Sequence, residues 1–232
     1  MFALLLQLNY RLFEKINALA GHWVWLDDTM IFCADLLIFV WPLLLLLLWG
    51  RPNSWRKRPL RAGEEAIVQK SRATILWIAP ACLLAYLFNL GVEQFVFEPR
   101  PFVAHHVHLL ITHVADASFP SDHTAWSFAV VGMLLFSLPP VLLAAWQQRI
   151  AEGKSSLRTA AILLPLVLMG LAVIMACCIG VARVFVGVHY PDDIIGGALS
   201  GLLAAWIVTL LQHRLSGLTE VVLHFIQRIH LA

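Results

Sequence analysis

Five stretches of this chain are long and apolar enough to cross a bilayer: 31–49, 74–97, 121–138, 160–181 and 194–212. A helix needs about 20 apolar residues to span hydrocarbon. Runs of this length read as spanning helices, which satisfy their backbone polar groups internally. The sequence therefore predicts an all-α, polytopic membrane helix bundle, and 60% hydrophobic against 13% charged residues agrees. A net charge of +2 and the absence of a basic stripe with interleaved aromatics argue against a nucleic-acid partner.

The ends carry a different pattern. Residues 2–20 place Leu5, Leu8, Leu12, Ile16 and Leu19 at steps of three and four, with Gln7, Arg11, Glu14, Lys15 and Asn17 opposite. Residues 215–230 repeat this with Leu215, Leu218, Val222, Ile226 and Ile229. Both describe amphipathic helices lying on the membrane. With no internal repeat, the expectation is one domain over 1–232: an interfacial amino-terminal helix within 1–28, a transmembrane core over 30–213 and an amphipathic tail over 215–232. Cys33, Cys82, Cys177 and Cys178 lie in apolar runs without metal-type spacing and read as buried, reduced thiols.

Orientation follows from the cations. Seven of the 16 basic residues lie between Arg51 and Arg72. Placing that segment in the cytoplasm puts twelve basic residues inside and four outside, Arg11, Lys15, Arg100 and Arg183. The polar segments 98–123 and 182–193 then share the outer face.

Those two segments hold the chemistry. In the second, Pro191 suits the first turn of a helix, His189 sits just before it, and Asp193 follows four residues later. A carboxylate there can take one imidazole proton and leave the other nitrogen as an outward lone pair. Arg183 offers a planar fork of donors suited to phosphate. Taken alone, these residues equally describe a juxtamembrane loop with charges at the headgroup level. In the first segment, Ser121, Asp122 and His123 open a transmembrane helix, whose unpaired N–H groups make an anion site. A phosphate held by Arg100, Arg183, Ser121 and that helix terminus would have its oxygens surrounded by donors, with His123 near as acid or base. Glu93 and Glu98 read either as partners of a substrate cation or arginine or as solvated loop residues. Asp35 reads as a helix-interface residue. Four histidines, 105, 106, 108 and 113, suggest headgroup contact sooner than a metal site.

Arg100-Pro101, then Pro120-Ser121-Asp122-His123, then Arg183 with His189 and Asp193, occur in an order and spacing that resembles the membrane-bound type 2 phosphatidic acid phosphatase superfamily. Within it, the pattern is similar to the bacterial undecaprenyl-diphosphatases of the bacitracin-resistance type. Glu93 stands where the first motif has a basic residue, Asp122 where the second has glycine, and Ala182 where the third has serine. The resemblance implies that His189 attacks the terminal phosphorus to form a phosphohistidine, that Asp193 orients its ring, and that His123 protonates the leaving group and then activates water. It implies that Arg100, Ser121, the Asp122 backbone N–H and Arg183 bind the phosphate, with no metal and no cofactor. The implied activity is hydrolysis of undecaprenyl (polyprenyl) diphosphate to the monophosphate and inorganic phosphate, at the outer side of a bacterial cytoplasmic membrane, recycling the cell-wall carrier lipid. Other lipid phosphates, such as phosphatidylglycerophosphate, phosphatidate or a lipid A phosphate, are the alternative substrates. A non-catalytic lipid-binding or transport protein is the alternative from another class.

Overall fold

The structure, a computed structural model, describes residues 2–50, 60, 62–151 and 159–228. The cations Arg51, Arg56, Lys57, Arg58, Arg61, Lys154 and Arg158, and the tail residue Ile229, lie outside the described residues. Ten α-helices are described: α1 (Phe2–Asn17), α2 (Val24–Ile31), α3 (Trp41–Trp49), α4 (Ala62–Glu93), α5 (Pro101–Ala104), α6 (Asp122–Ser137), α7 (Pro139–Ala151), α8 (Thr159–Phe185), α9 (Pro191–Arg214) and α10 (Ser216–Arg228). Between α2 and α3 the chain passes through a π-helical turn, Phe32–Leu36, and a 3-10 turn, Leu37–Val40.

Five helical stretches are long and apolar enough to cross a membrane: Val24–Trp49, Gly63–Glu93, Asp122–Ala151, Ala160–Phe185 and Pro191–Arg214. Their number matches the sequence expectation, but four sets of bounds need correction. The first span begins seven residues before 31, because the helix starts at Val24 and tolerates Asp27 and Asp28 in its opening turns. The second begins twelve residues before 74. Glu64, Glu65, Lys70 and Arg72, expected in a loop, lie on α4, whose first turn carries both glutamates where the helix dipole favours them. The third does not stop at Leu138. Pro139 and Pro140 fit the opening turn of α7, so the chain continues helical through Arg149 instead of entering a loop. The fourth extends past Val181 to Phe185, so Arg183 belongs to the last turn of α8.

The bundle is built on close contact between α6 and α9. Ala125 and Ala129 of α6 face Gly197, Gly201, Ala204 and Ala205 of α9, all buried. A Cβ at Gly197 would lie 2.4 Å from the Ser121 carbonyl oxygen, and one at Gly201 2.3 Å from that of Ala125. The spacing Gly197-x-x-x-Gly201 admits a neighbouring helix, and α6 is that neighbour. Helices α4 and α8 flank this pair. The outer surface is apolar: Leu46, Leu83, Ile174 and Leu199 are exposed, as lipid-facing side chains should be. Cys177 and Cys178 join that surface, against the expectation of burial; all four cysteines are free.

The two amphipathic helices do more than lie on a surface. On α1, Phe13 is buried and packs edge-on against Tyr190, 5.4 Å between ring centroids. Asn17, expected on the polar face, is buried too, and its amide donates to the carbonyls of His108 and Phe185, each at 2.8 Å. On α10, Thr219 and Leu223 are buried, and the Trp77 indole N–H of α4 donates to the Thr219 hydroxyl at 2.9 Å.

Candidate active site

The carboxyl end of α4, the amino ends of α6 and α9 and the carboxyl end of α8 meet at one end of the bundle. The segment 94–121 covers them. At the end of α8, Gly187 adopts φ +87°, a left-handed conformation that L side chains rarely adopt, and turns the chain so that His189 enters the interior. Tyr190 then precedes Pro191, which opens α9.

His189 is held from both sides. Its Nδ1 lies 3.1 Å from Asp193 Oδ2, one helical turn on. Its Nε2 lies 3.1 Å from Arg100 Nη1, which also donates to the Val188 carbonyl at 3.1 Å. Arginine is a donor only, so Nε2 is the accepting nitrogen and the proton resides on Nδ1, facing the carboxylate. Burial, and after it the charges of Arg183 and Arg100, hold the imidazole well below its usual pKa, so at neutral pH the ring is uncharged with a basic lone pair on Nε2.

Asp193 is fully buried. Its Oδ2 accepts from the Ser118 hydroxyl at 2.5 Å, the Tyr190 backbone N–H at 2.7 Å and His189. Three donors on one oxygen fix both the carboxylate and the ring beside it. The Ser121 N–H donates to the Asp193 carbonyl at 3.1 Å, which ties the start of α6 to the first turn of α9.

The arginines sit opposite. Arg183 is 1% exposed, and one of its nitrogens donates to Asp35 on the π-helical turn at 3.2 Å. Its Nε and Nη2 are buried with no hydrogen-bond partner. Unpaired guanidinium N–H groups at this depth are costly, and an anion with several oxygens would satisfy them. Arg100 is buried, and its Nε pairs with Asp116 at 2.6 Å. His123, on the first turn of α6, has no side-chain hydrogen bond among the described residues, and Arg183, His189, His113 and Arg100 lie within electrostatic range of it. Asp122 occupies the first residue of α6, where its backbone N–H has no intrahelical partner. Its carboxylate accepts from Asn89 of α4 at 2.7 Å, and Asn89 in turn accepts from Ser200 of α9 at 2.7 Å. A carboxylate at this position is thereby held by a side-chain amide.

The structure thus brings together Arg100, Ser121, Asp122, His123, Arg183, His189 and Asp193. It adds Ser118 and Asp116, which the sequence did not single out, and finds neighbours at the site for Asp35 and His113. Ser118 braces Asp193, Asp116 pairs with Arg100, Asp35 pairs with Arg183, and the His113 ring stands 6.3 Å from that of His189. Ala182 is fully buried against Phe185, Val186 and Val188, and the hydroxyl bracing the carboxylate comes from Ser118. The histidines of 105–113 do not gather: the His105 ring packs on Tyr10 at 4.2 Å, His108 is bound through its backbone N–H by Asn17, and His113 faces Asp116. Among the described residues, one group of metal-type ligands comes together, Glu98, Asp192 and Asp193, with carboxylate oxygens within 4.8 Å of one another. Burial and the neighbouring Asp192 and Asp193 push the Glu98 carboxyl up to about 7.

A neutral histidine with a fixed tautomer and a basic lone pair, faced by two arginines and a helix amino terminus within a membrane bundle, defines a membrane-embedded phosphatase. The chain belongs to the PAP2 superfamily, whose model matches residues 74–216. It is 32% identical over 223 residues to the undecaprenyl-diphosphatase BcrC of Bacillus subtilis, covering 96% of this chain and 92% of that one. It is 31% identical over 196 residues to the putative undecaprenyl-diphosphatase YbjG of Escherichia coli, covering 84% and 78%. In fold it is similar to the crystal structure of Aquifex aeolicus LpxE, with a TM-score of 0.55 and 24% identity over 87% of this chain and 94% of that one.

Proposed function

We propose that the chain hydrolyses a polyprenyl diphosphate, of the undecaprenyl type, to the lipid monophosphate and inorganic phosphate. The observation that carries this is the pairing of His189, bound through Nδ1 to Asp193 and carrying its lone pair on Nε2, with the unpartnered N–H groups of Arg183. The similarity to an undecaprenyl-diphosphatase over almost the whole chain supports the choice of substrate.

In the proposed reaction the terminal phosphate docks on Arg100, Arg183, the Ser121 hydroxyl and the Asp122 N–H. Arg100 turns from Nε2 to a phosphoryl oxygen, so binding frees the nucleophile. His189 Nε2 forms a bond to phosphorus as the bridging oxygen leaves, and His123 gives that oxygen a proton. The positive charge that develops on the ring is stabilised by Asp193, which Ser118 and the Tyr190 N–H hold in place. Water, deprotonated by His123, then attacks the phosphohistidine, releasing phosphate and restoring His189. The donors around the phosphoryl oxygens stabilise the charge of both transition states. The site faces outward by the balance of basic residues, in a bacterial cytoplasmic membrane.

Phosphate release from undecaprenyl diphosphate in detergent, with and without EDTA, tests the proposal. Release that persists with the chelator is expected. No release, or release abolished by EDTA, overturns it. Parallel assays with phosphatidylglycerophosphate, phosphatidate and a lipid A phosphate test the lipid: a faster rate on any of these reassigns the substrate.

A further inference from the structure

At the other end of the bundle from His189, α10 folds back over the start of α4 and the end of α9. The three helices line a surface cavity of about 560 Å³, within the range of ligand sites. From Asp193 to Gln212 along α9 is 19 residues, about 28 Å at 1.5 Å per residue, so the cavity is a separate site near the opposite membrane surface.

Several polar side chains point into it, on walls whose exposed area is otherwise mostly apolar. Lys70, Glu65, Gln212, His213, Glu220 and His224 line it. Gln212 is 4% exposed; its carbonyl accepts from Ser137 at 3.3 Å, but its amide nitrogen is buried without a partner. Lys70 is half-buried and, among the described residues, its ammonium has no partner; Glu65, His213, Glu220 and His224 are exposed, so the cavity opens to the surface. The donors, Lys70 and the Gln212 amide, suit a phosphate. The carboxylates of Glu65 and Glu220 repel a simple anion and suit an ammonium group. Leu218, Val221, Val222 and Phe225 of α10 are exposed and apolar, which sets the helix in the bilayer surface at the depth of headgroups.

We infer that this cavity binds a zwitterionic phosphoethanolamine headgroup, the phosphodiester on Lys70 and Gln212 and the primary ammonium on Glu65 and Glu220. The shared chemistry is a phosphodiester bearing a primary amine, and it is supplied either by phosphatidylethanolamine in the membrane or by soluble glycerophosphoethanolamine. The site is independent of the phosphatase assignment.

The test uses the full chain in detergent and follows thermal unfolding, with no substrate turnover in the readout. Phosphatidylethanolamine should raise the midpoint by at least about 5 °C, the size of shift expected for a ligand well above its Kd. In Lys70→Met and Glu220→Gln, which alter cavity walls and not the packed core, that rise should fall by half or more. An equal rise in both variants overturns the proposal, as does an equal rise with diacylglycerol, which lacks the headgroup, or with phosphatidylglycerol, which lacks the amine. No shift with glycerophosphoethanolamine supports a lipid as occupant; a full shift with it supports the same site with a soluble one.

Discussion

Asp193 gathers three donors on one oxygen while its other oxygen, Oδ1, is buried without a partner. A carboxylate so placed depends on every donor it has. Removing the hydroxyl in Ser118→Ala should cost about 1.5–3 kcal/mol of stability, the range for a hydrogen bond to a charged group. If Ser118 positions the carboxylate for catalysis, kcat should fall roughly 10- to 100-fold with KM nearly unchanged, and Ser118→Thr should recover part of it. A kcat equal to wild type in Ser118→Ala would leave the serine a structural role only. Replacing the partner directly, in Asp193→Asn, allows the amide to donate to Nδ1 and stabilises the wrong tautomer. The expected loss is about 10⁴-fold in kcat, by analogy with the same change in a serine protease triad, and full activity would refute the assigned tautomer. For Arg183, a lysine keeps the charge but loses the fork. Arg183→Lys should therefore raise KM and lower kcat together, and unchanged kinetics would remove the arginine from the phosphate site.

Helices α6 and α9 touch because glycine and alanine allow it. Gly201→Leu would drive a side chain into the Ala125 backbone, and a loss of at least about 3 kcal/mol is expected, the upper end for overpacking. Because Ser121 and Asp193 sit on these same two helices, the variant should lose activity along with thermal stability; an unaltered melting curve would contradict the packing described. Gly197-x-x-x-Gly201 made a close helix contact legible in the sequence but not its partner, and apolar length made the number of spans legible. The sequence also brought Arg100, His123, Arg183, His189 and Asp193 into view, since charge between apolar runs is conspicuous. The partners of Asp35, Ser118 and Asn89 were illegible for the opposite reason. Each reaches across the bundle to a partner at least 33 positions away, and a lone polar residue in or beside a helix does not name its partner. The span bounds erred where polar residues lie on helices: Glu64, Glu65 and Arg72 resemble a loop in sequence but complete the first turns of α4.

For the molecule as a whole, pH should act through Glu98. Its carboxyl is pushed up to about 7 by burial and by Asp192 and Asp193, so the folded protein holds a proton there that the unfolded chain has already released. Where the folded state binds more protons, stability falls as pH rises. The decline should run from about pH 4.5, the ordinary carboxyl value, to about 7. Glu98→Gln should flatten that part of the profile, and a thermal midpoint with the same slope in both proteins would refute the assignment.

An odd number of crossings has a further consequence. Five spans place α1 and the His189 end on one side of the membrane, and α10 with its cavity on the other. The two ends are therefore bathed by different compartments. Glu98 follows the acidity of one, and Lys70 and Glu220 meet the solutes of the other. In sealed vesicles with a pH gradient, acidifying one side should alter the midpoint and the other should not. Detergent merges the two baths, so only sealed vesicles let the two ends be addressed separately.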